Sequence, residues 1–200
     1  MQEVKCVANT DESTQPYPED TATIDVIGPP DTPMITVTSP MTEGVSTSLT
    51  CTADSGYPDD WVLVWSRADT GASLPEPTTD SITATNQRYS FTSILDYTPT
   101  RQDNGITIQC TARKESWNGP VPEPEGSTDP LNVQFCAKSV NLTQCPTAVL
   151  AGNTVSVQCA SGSSNPATML TWYKDNEAIT NPTDQPNVDG EYSGKVTDIT

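Results

Sequence analysis

The sequence contains no histidine among its 200 residues and has few basic side chains. Without imidazole, neither a Ser-His-Asp nor a Cys-His catalytic arrangement can form, and zinc sites that need a histidine ligand are excluded. Nine Lys and Arg stand against 26 Asp and Glu, which gives a formal net charge of -17. Such a chain repels a phosphate backbone, so the composition argues against nucleic-acid binding.

Long apolar runs are also missing. No segment approaches the roughly 20 residues that span a bilayer, and the polar residues 1–12 contain no signal-peptide core. The six cysteines, which include no CxxC pair, nevertheless indicate an oxidising, secretory compartment. We therefore expect this sequence to be a piece of a longer chain, with a leader and a membrane span lying outside it.

Motifs that would carry chemistry are absent as well. The sequence has no phosphate-binding loop, no nucleophile elbow and no helix-loop-helix calcium loop, and the pair Asp59-Asp60 alone is a weak calcium signal. The many carboxylates are typical of a solvated acidic surface. The sequence thus predicts no catalytic residue, no metal site and no cofactor, and the chain is not expected to be an enzyme.

Short alternating runs between turns are what the sequence does contain. Eighteen prolines and 11 glycines punctuate the chain, and no long segment has a helical apolar period. Apolar and polar residues alternate in three runs, which are residues 47–53, 61–65 and 106–112. A period of two places Cys51, Trp65 and Cys110 on the apolar faces of strands. This pattern predicts an all-β sandwich.

The pattern recurs along the chain. The equivalent pairs are Cys6 and Cys110, Cys51 and Cys159, and Trp65 and Trp172, which lie 104, 108 and 107 residues apart. Self-similarity at the length of one domain indicates a tandem array.

These residues resemble the immunoglobulin superfamily. Cys51, Trp65, Asp103, Gly105 and Cys110 match the main markers of that family, and the stretch 170–176 looks like its strand C. The resemblance implies a disulfide between Cys51 and Cys110 with Trp65 packed against it, and a similar core role for Trp172.

One departure from the common family pattern is informative. Ile108 occupies the place where a tyrosine often precedes the second cysteine. In this respect the chain is similar to the C2-type domains of nephrin-like, irregular-chiasm-like and nectin-like adhesion proteins.

The resemblance divides the chain into tandem Greek-key sandwiches, one complete and two partial. Residues 1–29 are expected to be the C-terminal part (strands F and G) of one domain, residues 30–135 a complete C2-type domain, and residues 136–200 the N-terminal part of a third. In the complete domain, 113–130 is the predicted F–G loop and 131–135 the predicted strand G. The partner cysteines of Cys6 and Cys159 are expected before residue 1 and after residue 200.

Two further cysteines have no place in the family pattern. Cys136 and Cys145 either form a local extra disulfide, pair with cysteines beyond residue 200, or stay unpaired.

Two surface features have competing interpretations. Asn141-Leu142-Thr143 is a glycosylation sequon, and the alternative is an unmodified surface asparagine. Trp117 in the F–G loop is either an anchor for a partner or a side chain lying on its own domain. Trp61 shares the face of Trp65 and is predicted to lie in the core or at its edge.

The resemblance implies a binding function. We expect an extracellular module of a single-pass cell-surface adhesion or recognition receptor, which contacts an immunoglobulin-like protein partner either homophilically or heterophilically. Contact with a membrane is expected only through a span outside these residues. Two alternatives remain, a secreted matrix protein with many repeats, and the ectodomain of a receptor tyrosine kinase or phosphatase.

Overall fold

The structure is a computed structural model, and its elements are almost all strands. It describes residues 2–8, 19–24, 26–115, 117–153, 155–179, 183–186 and 192–197. The strands are β1 (Gln2–Val7), β2 (Glu19–Ile24), β3 (Met34–Thr36), β4 (Met41–Thr42), β5 (Thr47–Gly56), β6 (Val62–Arg67), β7 (Thr79–Thr85), β8 (Arg88–Tyr97), β9 (Ile108–Arg113), β10 (Glu125–Ser127), β11 (Val133–Gln134), β12 (Val140–Gln144), β13 (Ser156–Ser161), β14 (Tyr173–Lys174), β15 (Glu177–Ala178), β16 (Thr183–Pro186) and β17 (Tyr192–Thr197). One 3-10 turn, Arg101–Asp103, interrupts them. The predicted all-β class is confirmed.

The chain divides into two compact units. The first unit comprises Met1–Thr38, Ser48–Tyr97 and Ile106–Pro130, and the second comprises Ser39–Thr47, Thr98–Gly105 and Leu131–Thr200.

The first unit contains a β-sandwich and a hairpin. One sheet has the strand order β3-β5-β8-β7, and the other has the order β10-β9-β6. Along β5, Leu49, Cys51 and Ala53 are buried, as the period of two requires for a strand with one face in a core. Strands β1 and β2 form a separate antiparallel hairpin.

A disulfide and a tryptophan connect the two sheets. Cys51 on β5 and Cys110 on β9 are joined, with their Cα atoms 6.6 Å apart. Trp65 lies opposite Cys110 in the register of β6 with β9, and its indole nitrogen donates a hydrogen bond to the buried hydroxyl of Ser93 on β8. Trp61, next to β6, is also buried.

The closing strand of the sandwich begins earlier than the sequence indicated. The predicted F–G loop, 113–130, contains β10, which pairs with β9 through Gly126 opposite Cys110. A side chain at Gly126 would overlap the backbone of Pro33, so only glycine permits this approach. The predicted strand G over 131–135 is reduced to β11, and the loop itself shortens to 114–124.

The second unit contains a parallel strand pair and a further sheet. Val133 of β11 lies opposite Met41 of β4, next to the 3-10 turn. The larger sheet has the order β12-β13-β17-β16, and β14 pairs with β15 in a small hairpin.

The four-stranded sheet of the second unit resembles the four-stranded sheet of the first unit in its strand order. In both sheets the second strand carries the buried cysteine, Cys51 on β5 and Cys159 on β13. The domain boundaries at residues 29 and 135 stay a prediction.

Candidate partner-binding surface

The remaining cysteines differ in exposure. Cys6, Cys136 and Cys145 are exposed, and Cys159 is buried. Cys136 and Cys145 are not joined in the structure, and a local disulfide between them stays a prediction. Pairing with cysteines elsewhere in a longer chain stays a prediction.

Two other predicted residues lie in the second unit. Trp172 is half-buried, and its indole nitrogen is buried without a hydrogen-bond partner among the described residues. The strand C predicted around it is limited to Tyr173–Lys174. Asn141 lies exposed on β12, where a glycan has open space to attach.

The predicted contact residue Trp117 is turned onto its own domain. Its ring packs against the buried ring of Trp61, with 5.2 Å between the centroids. Its indole nitrogen donates to the carbonyl of Val121 at 3.0 Å, and the ring covers Gly119 so closely that a Cβ there would overlap it. The half-buried Trp117 therefore packs between the loop 114–124 and Trp61. Its role as a partner anchor stays a prediction.

Charged side chains fix the same loop at its two ends. The buried ammonium of Lys114 bonds to the carboxylate of Asp60. Glu123 accepts a bond from the backbone N–H of Lys114 at 3.1 Å and another from the guanidinium of Arg113 at 3.3 Å. A loop held by its own hydrogen bonds loses little entropy on binding, which favours it as a preorganised edge of a recognition surface.

The outward face of β6 and β9 borders a groove. Side chains of β6 alternate, so that Leu63 and Trp65 enter the core while Val62 and Val64 face outward. Val62 lies opposite Arg113 and Val64 opposite Thr111. These outward residues, with segment 71–77, enclose about 490 Å³.

Segment 71–77 forms one wall of the groove. The N–H of Leu74 donates to the carbonyl of Trp65 at 3.0 Å, and the N–H of Arg67 donates to the carbonyl of Ala72 at 2.9 Å. Pro75 and Pro77 follow and have no N–H, so they cannot continue this pairing. After Leu74 the segment therefore no longer pairs with β6. The groove lies between the segment and residues Val62, Leu63 and Val64 of β6.

The groove is lined mostly by polar groups around one exposed apolar side chain. It presents the apolar Val62, which is 54% exposed, and the carboxylates of Glu76 and Asp80 at its rim. Within the part of the chain that the structure describes, no cluster of three or more potential metal ligands occurs. One exposed apolar side chain among polar and charged neighbours is compatible with association with another protein.

An ion cluster in the second unit was not foreseen from the sequence. Arg101 binds both carboxylate oxygens of Glu43, at 3.0 and 2.8 Å, and the ammonium of Lys138 lies 3.2 Å from the same carboxylate. The hydrogen bonds from Arg101 lower the pKa of Glu43 from its usual 4.5 to about 2. The partners are 58 and 95 residues apart in sequence, so local pattern gave no signal.

The described residues include no helix that is long and apolar enough to cross a membrane.

A family model matches the part of the chain that contains the first unit's sandwich. Residues 32–120 match the CD80-like C2-set immunoglobulin domain. This segment is an immunoglobulin domain. The match covers the Cys51–Cys110 disulfide and Trp65, and it confirms the predicted immunoglobulin superfamily for residues 32–120.

Several known proteins are similar to most of this chain. Human nephrin is 27% identical over 163 residues, which is 79% of this chain and 12% of nephrin. The mouse nectin-like molecule 4 ectodomain matches with a TM-score of 0.57 and 21% identity, over 86% of this chain and 56% of that one. A chain from the crystal structure of Dpr2 Ig1-Ig2 in complex with DIP-Theta Ig1-Ig3 matches with a TM-score of 0.52 and 20% identity, over 98% of this chain and 62% of that one. This chain thus spans less than two thirds of the length of each of them.

Proposed function

We propose that this chain is an extracellular protein-binding module of a cell-surface adhesion or recognition receptor. The C2-set domain and the similarity to nephrin and to a nectin-like ectodomain support this role. The Cys51–Cys110 disulfide is of the kind that persists in an oxidising, extracellular setting. The proposed module binds other proteins, and its membrane span is supplied by sequence outside these residues.

The groove beside β6 is the observation that most strongly supports a binding function. Val62 is a β-branched apolar side chain left half-exposed on a rigid strand, next to the preorganised loop 114–124. Such a position offers apolar contact area without an entropy cost for ordering the strand. Single contacts of this size are weak, and clustering of receptors on a surface sums them.

The charge of the chain favours a different protein over a second copy. Two carboxylates, of Glu76 and Asp80, and one guanidinium, of Arg113, line the groove, and two copies with a formal net charge of -17 each repel one another. We therefore propose a heterophilic partner whose contact surface is basic, held by complementary charge around an apolar centre.

The experiment is a multivalent binding screen with the intact extracellular region. The region is displayed on beads and presented to a panel of extracellular immunoglobulin proteins, to itself, to heparin and to lipid vesicles. The proposal expects saturable binding to a protein of the panel that weakens with rising salt. Binding to heparin or vesicles alone, or to no protein while a known adhesive pair on the same beads binds, would contradict it.

A further inference from the structure

The passage from the complete domain into the third segment has no free linker. β11 ends at Gln134, and the next residue, Phe135, already pairs with Asn165. The N–H of Phe135 donates to the carbonyl of Asn165 at 2.8 Å, and the N–H of Asn165 donates back at 2.9 Å. Phe135 is thus fixed on both of its backbone polar groups immediately after the closing strand.

The side chain of Asn165 adds a second layer of contacts. Its amide nitrogen lies 2.7 Å from the carbonyl of Val133, 2.9 Å from the side-chain oxygen of Asn132 and 3.2 Å from that of Asn104. Asn104 in turn accepts the backbone N–H of Val133 at 3.0 Å. One amide therefore connects the third segment with both β11 and the turn that follows the 3-10 helix.

The ion cluster holds the same passage from another side. The guanidinium of Arg101 lies 4.9 Å from the centroid of the Phe135 ring, and it donates to the carbonyl of Cys136 at 3.2 Å while it binds Glu43. Lys138, three residues after Phe135, binds Glu43 as well. Arg101 thus restricts Phe135 and Cys136, and Glu43 restricts Lys138.

The backbone part of this arrangement occurs twice. Gly28 and Tyr57 exchange the same two backbone hydrogen bonds, at 2.9 and 2.8 Å. Phe135 lies 107 residues after Gly28, and Asn165 lies 108 after Tyr57, which are the spacings of the repeated tryptophans and cysteines. Tyr57 has no amide, so the side-chain contacts of Asn165 belong to the second passage only.

We propose that Asn165 and the Glu43–Arg101 pair form an interdomain joint that fixes the third segment to the complete domain. The joint rests on the tandem-domain division within the proposed function, and not on the identity of the partner. Its consequence is that the residues of the passage are already ordered before a partner binds, so that binding carries no entropy cost for ordering them.

The test uses Asn165→Asp in the intact protein. The substitution keeps the size of the side chain but replaces two donors by a carboxylate, which faces three acceptor oxygens. Trypsin cleavage after the exposed Lys138 reports local opening of the joint, because a protease acts on the opened form. Without these hydrogen bonds, trypsin should cleave after Lys138 about tenfold faster. The amides of residues 131–138 should also exchange their hydrogens faster.

Asn118→Asp is the matched control, because Asn118 is an exposed asparagine in the loop 114–124. It is expected to leave cleavage after Lys138 unchanged. Arg101→Lys provides a second variant, since lysine keeps the charge but cannot bind Glu43 with two nitrogens and Cys136 at once. It is expected to produce the same local opening, smaller in size.

Two results would overturn the joint. One is unchanged cleavage and exchange at 131–138 in both Asn165→Asp and Arg101→Lys. The other is cleavage that rises equally after Arg67 and Arg88, because that would make the role one of general stability. Partner binding in the screen is a separate readout, so failure of the joint and failure of the proposed function are distinguishable.

Discussion

The indole nitrogen of Trp65 donates a hydrogen bond to the hydroxyl of Ser93 at 3.0 Å in the centre of the sandwich. Trp65 belongs to β6 and Ser93 to β8, so the bond joins the two sheets beside the Cys51–Cys110 disulfide. Ser93 is a polar residue at a core position, where the neighbouring inward side chains Phe91 and Leu95 are apolar. A buried indole N–H needs an acceptor, and Ser93 supplies it.

Replacement of that acceptor should destabilise the sandwich of the first unit. Ser93→Ala leaves the N–H of Trp65 buried and unpaired, which should lower the free energy of unfolding by about 1–3 kcal/mol. Ser81→Ala, on the exposed strand β7, is the control and should change it by less than about 0.5 kcal/mol. Chemical denaturation followed by tryptophan fluorescence measures both. Equal effects of the two substitutions would show that the bond does not contribute.

The stabilisation from Glu43 should depend on pH. Because the folded pKa of Glu43, about 2, lies below its usual 4.5, its stabilising contribution is complete above pH 4.5 and is lost as the pH falls towards 2. Unfolding of the native protein and of Glu43→Gln, compared from pH 6 to pH 2, should therefore differ most at pH 6 and converge in acid. Glu115→Gln, at an exposed position, should show no such convergence. A constant difference for Glu43→Gln at every pH would contradict the ion cluster.

The packing of Trp117 can be tested at Gly119. Gly119→Ala places a methyl group where the ring of Trp117 lies, so the ring must leave Trp61. The near-ultraviolet circular dichroism of the tryptophans should change, and stability should fall by about 1–3 kcal/mol. In a Trp117→Ala background the same substitution should be nearly neutral, because the clash is gone. Additive effects of the two substitutions would mean that the ring does not occupy this place.

The sequon on β12 should be glycosylated in secreted material. Asn141 is exposed, and the adjacent Thr143 completes the acceptor sequence. Enzymatic removal of N-glycans should therefore reduce the mass of the native protein and of Asn118→Gln, but not that of Asn141→Gln. A glycan that persists in Asn141→Gln would place the modification elsewhere.

The sandwich was predictable because its signals are local or periodic. The alternation around Cys51 and Cys110 and the repeated spacing to Trp65 depend on the identities of residues at fixed intervals, so they indicated strands, a core and a tandem fold. The early start of the closing strand was missed because Glu125, Gly126 and Ser127 carry no apolar period. Their pairing with β9 depends on the close approach of Gly126 to Pro33, which is a tertiary contact.

The candidate surface could not be predicted for a related reason. The groove arises where Pro75 ends the pairing of its segment with Trp65, and only the folded chain places that segment beside Val62. For Trp117, the position on a loop could be predicted but the contact could not. Its presence on a loop was evident from the sequence, whereas its contact with Trp61 was determined by the fold.

Val62 is the position at which partner binding by the groove beside β6 can be tested most directly. Val62→Lys replaces the half-exposed apolar side chain by a cation, which a basic partner surface repels. Val45→Lys is the same substitution at a site of similar exposure, 56% against 54%, outside the groove. We measure the affinity of both variants for the partner found in the binding screen. Val62→Lys should weaken binding at least about tenfold, which corresponds to roughly 1.4 kcal/mol, while Val45→Lys should bind like the native protein. Equal affinities of Val62→Lys and the native protein would contradict binding through the groove.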